Sequence, residues 1–294
     1  MRSNRRPFYS FSIIVFAVLV SAVGARAQTA SPTPSPTPSS SPSLEKNFFK
    51  NILRDQKAIW TSPAHVRGSD APWLLTLGVA AGGFLATDRA TGDDMAKHTG
   101  QLDASRIISY AGSIYGVSAA AGSFYLIGRA THNPRARETG TLSAEAIIDS
   151  GIVVTALKEI TQRARPLTGK DRSRFFVGGG SFPSGHSIEV WSVATVVASE
   201  YHDQPAVQIA AYGIAGAVGV SRFTGLHHYL SDVLVGSAMG YGIGRYLYRA
   251  HHEGASSGVV GPEDEESFSK RVPEITPLYN TRAHDYGVGL RWSF

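Results

Sequence analysis

An all-α fold is expected, a six-helix bundle with a functional site at one end, followed by a short C-terminal β-strand or hairpin. Three observations predict it. Between residues 70 and 250 apolar residues recur at helical spacing, without sustained two-residue alternation. Turn signals divide this region at Thr91-Gly92-Asp93, Asn133-Pro134, the long stretch 166–183 and His202-Asp203-Gln204-Pro205. Only at the end do Tyr286, Val288, Leu290, Trp292 and Phe294 alternate with Gly287, Gly289, Arg291 and Ser293, the period of a strand.

The helices fall near 71–87, 105–129, 142–163, 185–201, 205–221 and 228–249. In an up-and-down bundle the end of the third and the starts of the fourth and sixth share one end. Uncharged runs at 71–87, 107–128 and 204–221 approach the length of a membrane span. Asp149 and Glu189 interrupt other helices, and a soluble or peripherally membrane-associated bundle handles such charges by turning them outward.

Ahead of the bundle, Arg2, Arg5 and Arg6 precede the apolar run Phe11 to Val23 and then Ala25-Arg26-Ala27. This reads as a secretory signal peptide over residues 1–27. Residues 28–43 are almost entirely Ser, Thr and Pro, a spacer that cannot bury apolar surface. Residues 44–69 form a helical extension, the domain proper runs from 70 to 250, and 251–294 is a polar tail ending in the strand. The net charge of +5 over 294 residues is modest, and no basic cluster dense enough for nucleic acid occurs. There are no cysteines, which excludes disulfides and thiol chemistry.

Three motifs converge on the shared end. In Ser221-Arg222-x5-His228-x3-Asp232, a helix beginning near His228 puts His228 and Asp232 on one face. The carboxylate can then accept the imidazole Nδ1–H and leave Nε2 free. Arg222 lies just before, placed to clamp an oxyanion. In Pro183-Ser184-Gly185-His186, Ser184 starts a helix whose free N–H groups suit phosphate, Gly185 lets a ligand approach, and His186 sits beside it. In Lys158-x6-Arg165-Pro166, the spacing of two turns lets both cations share one face of a helix that ends before the proline.

Together these motifs resemble the type 2 phosphatidic acid phosphatase (PAP2) superfamily, which also holds bacterial acid phosphatases and vanadium haloperoxidases. All three match in order, over roughly residues 70 to 250. The resemblance implies a metal-independent phosphatase acting on a small phosphorylated or lipid-phosphate substrate. In it His228 attacks phosphorus, Asp232 orients His228, and His186 serves as acid and then base. Lys158, Arg165, Ser184, Gly185 and Arg222 bind the phosphate. No cofactor is implied, except vanadate if the chain is instead a vanadium-dependent haloperoxidase. A non-catalytic envelope protein is the remaining alternative.

The expected location is the periplasm or cell envelope. An integral-membrane bundle with its site on the periplasmic side is the other arrangement. Asp149 reads as a helix-face or intra-bundle partner, and His132, His202, His251 and His252 as solvated histidines. His227 is left out of the site.

Overall fold

The computed structural model describes residues 44–170, 172–252, 274–280 and 285–291. The expected leader over 1–27, the linker over 28–43 and the polar stretch after residue 252 lie outside the described residues. The chain divides into two compact units, Met1–His252 and Glu253–Phe294.

The described residues of the first unit are all-α. Its helices are α1 (Leu44–Thr61), α2 (Ala71–Met95), α3 (Leu102–Ala111), α4 (Ile114–Ala130), α5 (Pro134–Thr161), α6 (Gly185–Glu200), α7 (Pro205–Thr224) and α8 (Leu230–His252). The second unit is a hairpin of β1 (Glu274–Asn280) and β2 (Asp285–Arg291), antiparallel with Pro277 opposite Val288. Alternation marked β2, and a hairpin was one of the two forms expected for this end; the alternation did not locate β1, where Pro277 interrupts the pattern and a strand with a free edge tolerates proline.

Helix α6 is the axis of the bundle. It packs on α5, α7 and α8, and all but three of its sixteen residues are buried. Its valines, alanines and small hydroxyl residues are buried on every side, as in a helix surrounded by others. Val190, Val193 and Val197 join Phe124 of α4 and Val207, Ala211 and Val218 of α7 in one core cluster. Ile188 and Val196 join Leu142 and Val153 of α5 and Ile243 and Leu247 of α8 in a second. Gly236, Gly240 and Gly244 repeat every fourth residue on α8, so they share a face. Added Cβ atoms there would lie 2.8, 2.3 and 2.4 Å from the carbonyls of Ser184, Ile188 and Ser192. Only glycine lets α8 run this close to α6.

Several element boundaries differ from the expectation. The expected second helix is two, because Ser113 caps α4 by accepting from the Gly116 N–H at 3.2 Å. Helix α5 starts at Pro134 and not at 142. Asn133 Oδ1 accepts from the Ala136 N–H at 3.1 Å and proline takes the first helical position, so Asn133-Pro134 opens a helix as well as ending a turn. Thr91-Gly92-Asp93 does not break α2, which runs on to Met95. Gly92 sits beneath Tyr229, whose Cε1 lies 3.1 Å from where a Cβ would stand.

Helices α5 and α7 are long and apolar enough to cross a membrane by length and composition. Trp73, Leu75 and Val79 of α2 are largely exposed.

Candidate active site

The site is assembled by the segment between α5 and α6. Helix α5 ends at Thr161 and Gln162 takes the left-handed conformation (φ 44°), which turns the chain back beneath the bundle. Successive carbonyls then capture the returning strand. Thr161 accepts from the Phe176 N–H, Gln162 from Val177 and Gly179, and Arg163 from Ser181, all between 2.9 and 3.1 Å. Gly179 passes so near that a Cβ would lie 2.2 Å from the Arg163 carbonyl oxygen. The expectation that α5 continues to 163, with Lys158 and Arg165 on one helical face, is therefore corrected. Lys158 lies in the last turn, and Arg165 is exposed on the loop beyond.

The returning strand carries Ser181, Ser184 and His186 to the start of α8. The Ser184 N–H donates to the Asp232 carbonyl at 3.0 Å, which ties the two helix starts together. Ser184 caps α6, its Oγ accepting from the Ser187 N–H. Gly185 faces Lys158, whose Nζ is 3.3 Å from where a Cβ would stand. The ammonium thus lies against the positive end of α6, a place suited to an anion.

His228 is 2 % exposed and precedes α8, which begins at Leu230, so the expected helical face shared with Asp232 is corrected. The turn is held by the Arg222 carbonyl, which accepts from the N–H groups of both His227 and His228 at 3.1 Å. His228 Nδ1 lies 2.7 Å from the Ser181 carbonyl oxygen and 3.6 Å from Asp232 Oδ2. A carbonyl can only accept, so Nδ1 carries the proton and the neutral ring keeps its lone pair on Nε2. The tautomer is set by Ser181, a residue the motif reading missed, while Asp232 adds charge from farther away.

Asp232 is held from every side. Its Oδ1 accepts from Arg163 Nη1 at 2.5 Å, and its Oδ2 from the Ser181 hydroxyl at 2.6 Å and the Tyr229 N–H at 2.9 Å. The last contact caps α8. Arg163 also escaped the motif reading. It is fully buried, its Nη2 donates to Asp88 Oδ2 at 2.9 Å, and its guanidinium lies between the rings of Phe175 and Tyr229. The Ser231 hydroxyl bonds Asp88 and accepts from Arg163 Nη1 at 2.7 Å.

Among the described residues, the cations Lys158, Arg165 and Arg222 gather here, with Glu189 and Asp232 countering the charge at Lys158 only in part. Burial, then the charges of Arg222, His228, Lys158 and His227, push His186 down to about 3. Burial lowers Lys158, and the Arg165 charge lowers it further. Burial and Arg165 bring Arg222 down to about 10. Arg222 Nε is buried with no hydrogen-bond partner among the described residues. Burial likewise lowers His228, and Asp232 offsets this only in part. Burial would raise Asp232, but contact with His228 and the charge of Arg163 hold it below the usual carboxylate range. The pocket therefore combines a bare imidazole nitrogen with mutually repelling cations, a charge pattern that an anion relieves. His227 is exposed and adjoins this field.

Elsewhere, His132 and His202 are exposed as expected, whereas His251 is buried and bonded to Asp55, which corrects its reading as a solvated residue. The side chain of His252 lies outside the described residues.

Residues 140–255 match the model of the PAP2 superfamily. Over 69 residues the chain is 38% identical to the lipid A 1-phosphatase of Porphyromonas gingivalis, covering 23% of this chain and 16% of that protein. The chain thus spans a small part of that relative's length. Among solved structures, Aquifex aeolicus LpxE is 20% identical with a TM-score of 0.45, over 56% of this chain and 94% of that one. The first transmembrane PAP2 type phosphatidylglycerolphosphate phosphatase from Bacillus subtilis is 21% identical, also with a TM-score of 0.45, over 71% of this chain and 96% of that one. Three motifs in order and a matching family model meet on one stretch, and over residues 140–255 the chain is similar to the PAP2 superfamily.

Proposed function

We propose that the protein is a phosphatase of the cell envelope that cleaves lipid phosphates through a phosphohistidine. One observation carries this reading: a buried, neutral His228 with its lone pair on Nε2, set among Lys158, Arg165 and Arg222. Nε2 attacks phosphorus in line while the cations and the N–H groups at the start of α6 hold the phosphoryl oxygens. The bond to the leaving oxygen breaks, and His186 gives that oxygen a proton. Water then attacks the phosphohistidine, His186 takes the water's proton, and inorganic phosphate departs. No residue at this site is assigned to a metal or cofactor.

His186 is neutral in the free enzyme, since its value is near 3. A bound phosphate dianion raises it, which couples protonation of the acid to occupancy of the site.

The lipid assignment rests on the surroundings of the pocket. Leu167, Phe176 and Val177 stand exposed on the loop that carries Arg165, and Ile160 stands exposed on the last turn of α5. Exposed apolar side chains around a phosphate pocket suit a substrate whose tail lies in a lipid phase. The matched relative is named a lipid A 1-phosphatase, which supports a lipid phosphate as the substrate. The basic, apolar N-terminus supports export.

The test is phosphate release from alkyl, lipid and nitrophenyl phosphates by the wild type and His186→Ala. An alkoxide needs the proton in the transition state, an effect of about 10²–10⁴ in rate, whereas nitrophenolate needs little help. His186→Ala is therefore expected to depress the first-turnover burst far more for alkyl and lipid phosphates. Equal losses would move the acid elsewhere, and no release from any substrate would sink the phosphatase reading.

Asp232→Asn is expected to lower kcat by about 10- to 100-fold. In a serine protease triad the same exchange costs about 10⁴ because the tautomer is lost. Here the Ser181 carbonyl keeps the proton on Nδ1, so only charge and hydrogen bonding suffer. A loss of 10⁴ in steady-state turnover would show that Asp232, and not Ser181, sets the tautomer.

A further inference from the structure

Three helices meet around a second group of ionisable side chains, away from the candidate active site. Asp55 of α1, Glu145 of α5 and His251 of α8 each offer one ligand atom, and these atoms all lie within 4.8 Å of one another. At 1.5 Å per helical residue, they lie roughly 20–30 Å along α5 and α8 from Lys158 and Asp232.

Asp55 and Glu145 are fully buried and His251 is 8 % exposed. Some of their atoms are satisfied within the protein. Asn51 Nδ2 donates to Glu145 Oε1 at 3.0 Å, and the Tyr246 hydroxyl donates to Asp55 Oδ1 at 3.1 Å. His251 Nε2 lies 2.6 Å from Asp55 Oδ2. Glu145 Oε2, by contrast, has no hydrogen-bond partner among the described residues and points into the group, 3.9 Å from His251 Nε2. Asp149, one turn along α5, accepts from Gln56 Nε2 on Oδ1 at 2.8 Å and leaves its buried Oδ2 unpartnered.

Arg54 Nη2 lies 2.9 Å from His251 Nδ1, and a guanidinium can only donate. Nδ1 therefore accepts, and the imidazole is neutral with its proton on Nε2 facing Asp55. Arg54 also reaches Asp55, its Nε 3.9 Å from Oδ1, with a side chain 57% exposed. Asp55, Glu145 and Asp149 thus come together in a place closed to water, where an ionised carboxylate without a cation is strongly disfavoured.

We propose that Asp55, Glu145 and His251 bind one divalent transition-metal ion, of the Zn²⁺ or Mn²⁺ type, which fastens α1 to α5 and α8. A divalent cation there favours the ionised carboxylates that burial disfavours. One imidazole nitrogen with carboxylate oxygens suits these ions, whereas Mg²⁺ and Ca²⁺ favour all-oxygen sets. On binding, Arg54 releases Nδ1, the ring proton moves from Nε2 to Nδ1, and Nε2 turns its lone pair to the metal. Asp55 Oδ2 and Nε2 open to admit an ion at about 2.0–2.2 Å from each ligand. The site is distinct from the pocket around His228, so its test stands apart from the phosphatase reading.

The experiment uses the untagged full chain, stripped with EDTA and dialysed. Zn²⁺ and Mn²⁺ are titrated singly, with bound metal measured by equilibrium dialysis and stability by thermal unfolding. One equivalent is expected to bind saturably and to raise the unfolding midpoint, because a ligand of the native state stabilises it by mass action. Glu145→Gln keeps an oxygen for Asn51 but removes a ligand charge. It is expected to weaken binding at least 10-fold and abolish the shift, while the metal-free variant unfolds no earlier than the wild type. His251→Gln is expected to lose binding in the same way, whereas His228→Ala keeps it. Absence of saturable binding, tighter binding of Ca²⁺ than of either metal, or undiminished binding in folded Glu145→Gln or His251→Gln would each overturn the proposal.

Discussion

His228→Ala is expected to abolish phosphate release, by a factor on the order of 10⁶, the scale seen when a serine protease loses its nucleophile. The alanine removes the attacking atom, and Lys158, Arg165 and Arg222 can only bind what they no longer help to cleave. Folding is expected to persist, because the bonds that close the end of the bundle run through Ser181, Asp232 and Arg163 and do not need the imidazole. In the wild type, an acid-labile, base-stable phosphoryl group should be trapped on His228 by rapid quenching and located by mass spectrometry. A variant retaining near-normal turnover would show that no phosphohistidine forms at this residue.

Arg163→Met is expected to have the largest effect on stability, a loss of about 3–5 kcal/mol by chemical denaturation. Arg163, Asp88 and Asp232 are all fully buried. Methionine leaves two carboxylates sealed from water with no cation between them, and replaces a guanidinium stacked on Phe175 and Tyr229. The companion change Asp88→Asn removes one stranded charge, so Arg163→Met/Asp88→Asn should regain part of the loss. A single-variant cost below about 1 kcal/mol, or a double variant no more stable than Arg163→Met, would show that this network does not hold the end of the bundle together.

The site was legible to the extent that its chemistry is written in short segments. Pro183-Ser184-Gly185-His186 states a chain break, a cap and a base within four residues, and the helix it opens presents its N-terminus by local rules alone. The spacing from Arg222 to His228 likewise fits one turn, closed by the Arg222 carbonyl. Helix boundaries fared worse. Asn133-Pro134 and Thr91-Gly92-Asp93 are both built of turn-favouring residues, yet one opens a helix and the other lies inside one, and packing decides between the two.

Arg163, Ser181 and Asp88 were out of reach for another reason. Arg163 meets Asp88 from 75 positions away, and Ser181 meets Asp232 from 51. Nothing local distinguishes a buried arginine from a solvated one. His251 shows the converse, since its place at a helix end suggested water and its contact with Asp55, 196 positions distant, excludes it.

By itself, then, the sequence determined an all-α chain, the residue types of the pocket and the end of the bundle where they gather. Periodicity, caps and short motifs are local and survive without knowledge of neighbours. Only the tertiary structure decided which nitrogen of His228 is bare, that a backbone carbonyl and not Asp232 decides it, and that Arg163 anchors Asp232. Those facts depend on hydrogen bonds between segments far apart in the chain, and a donor's partner is chosen by the path of the folded backbone.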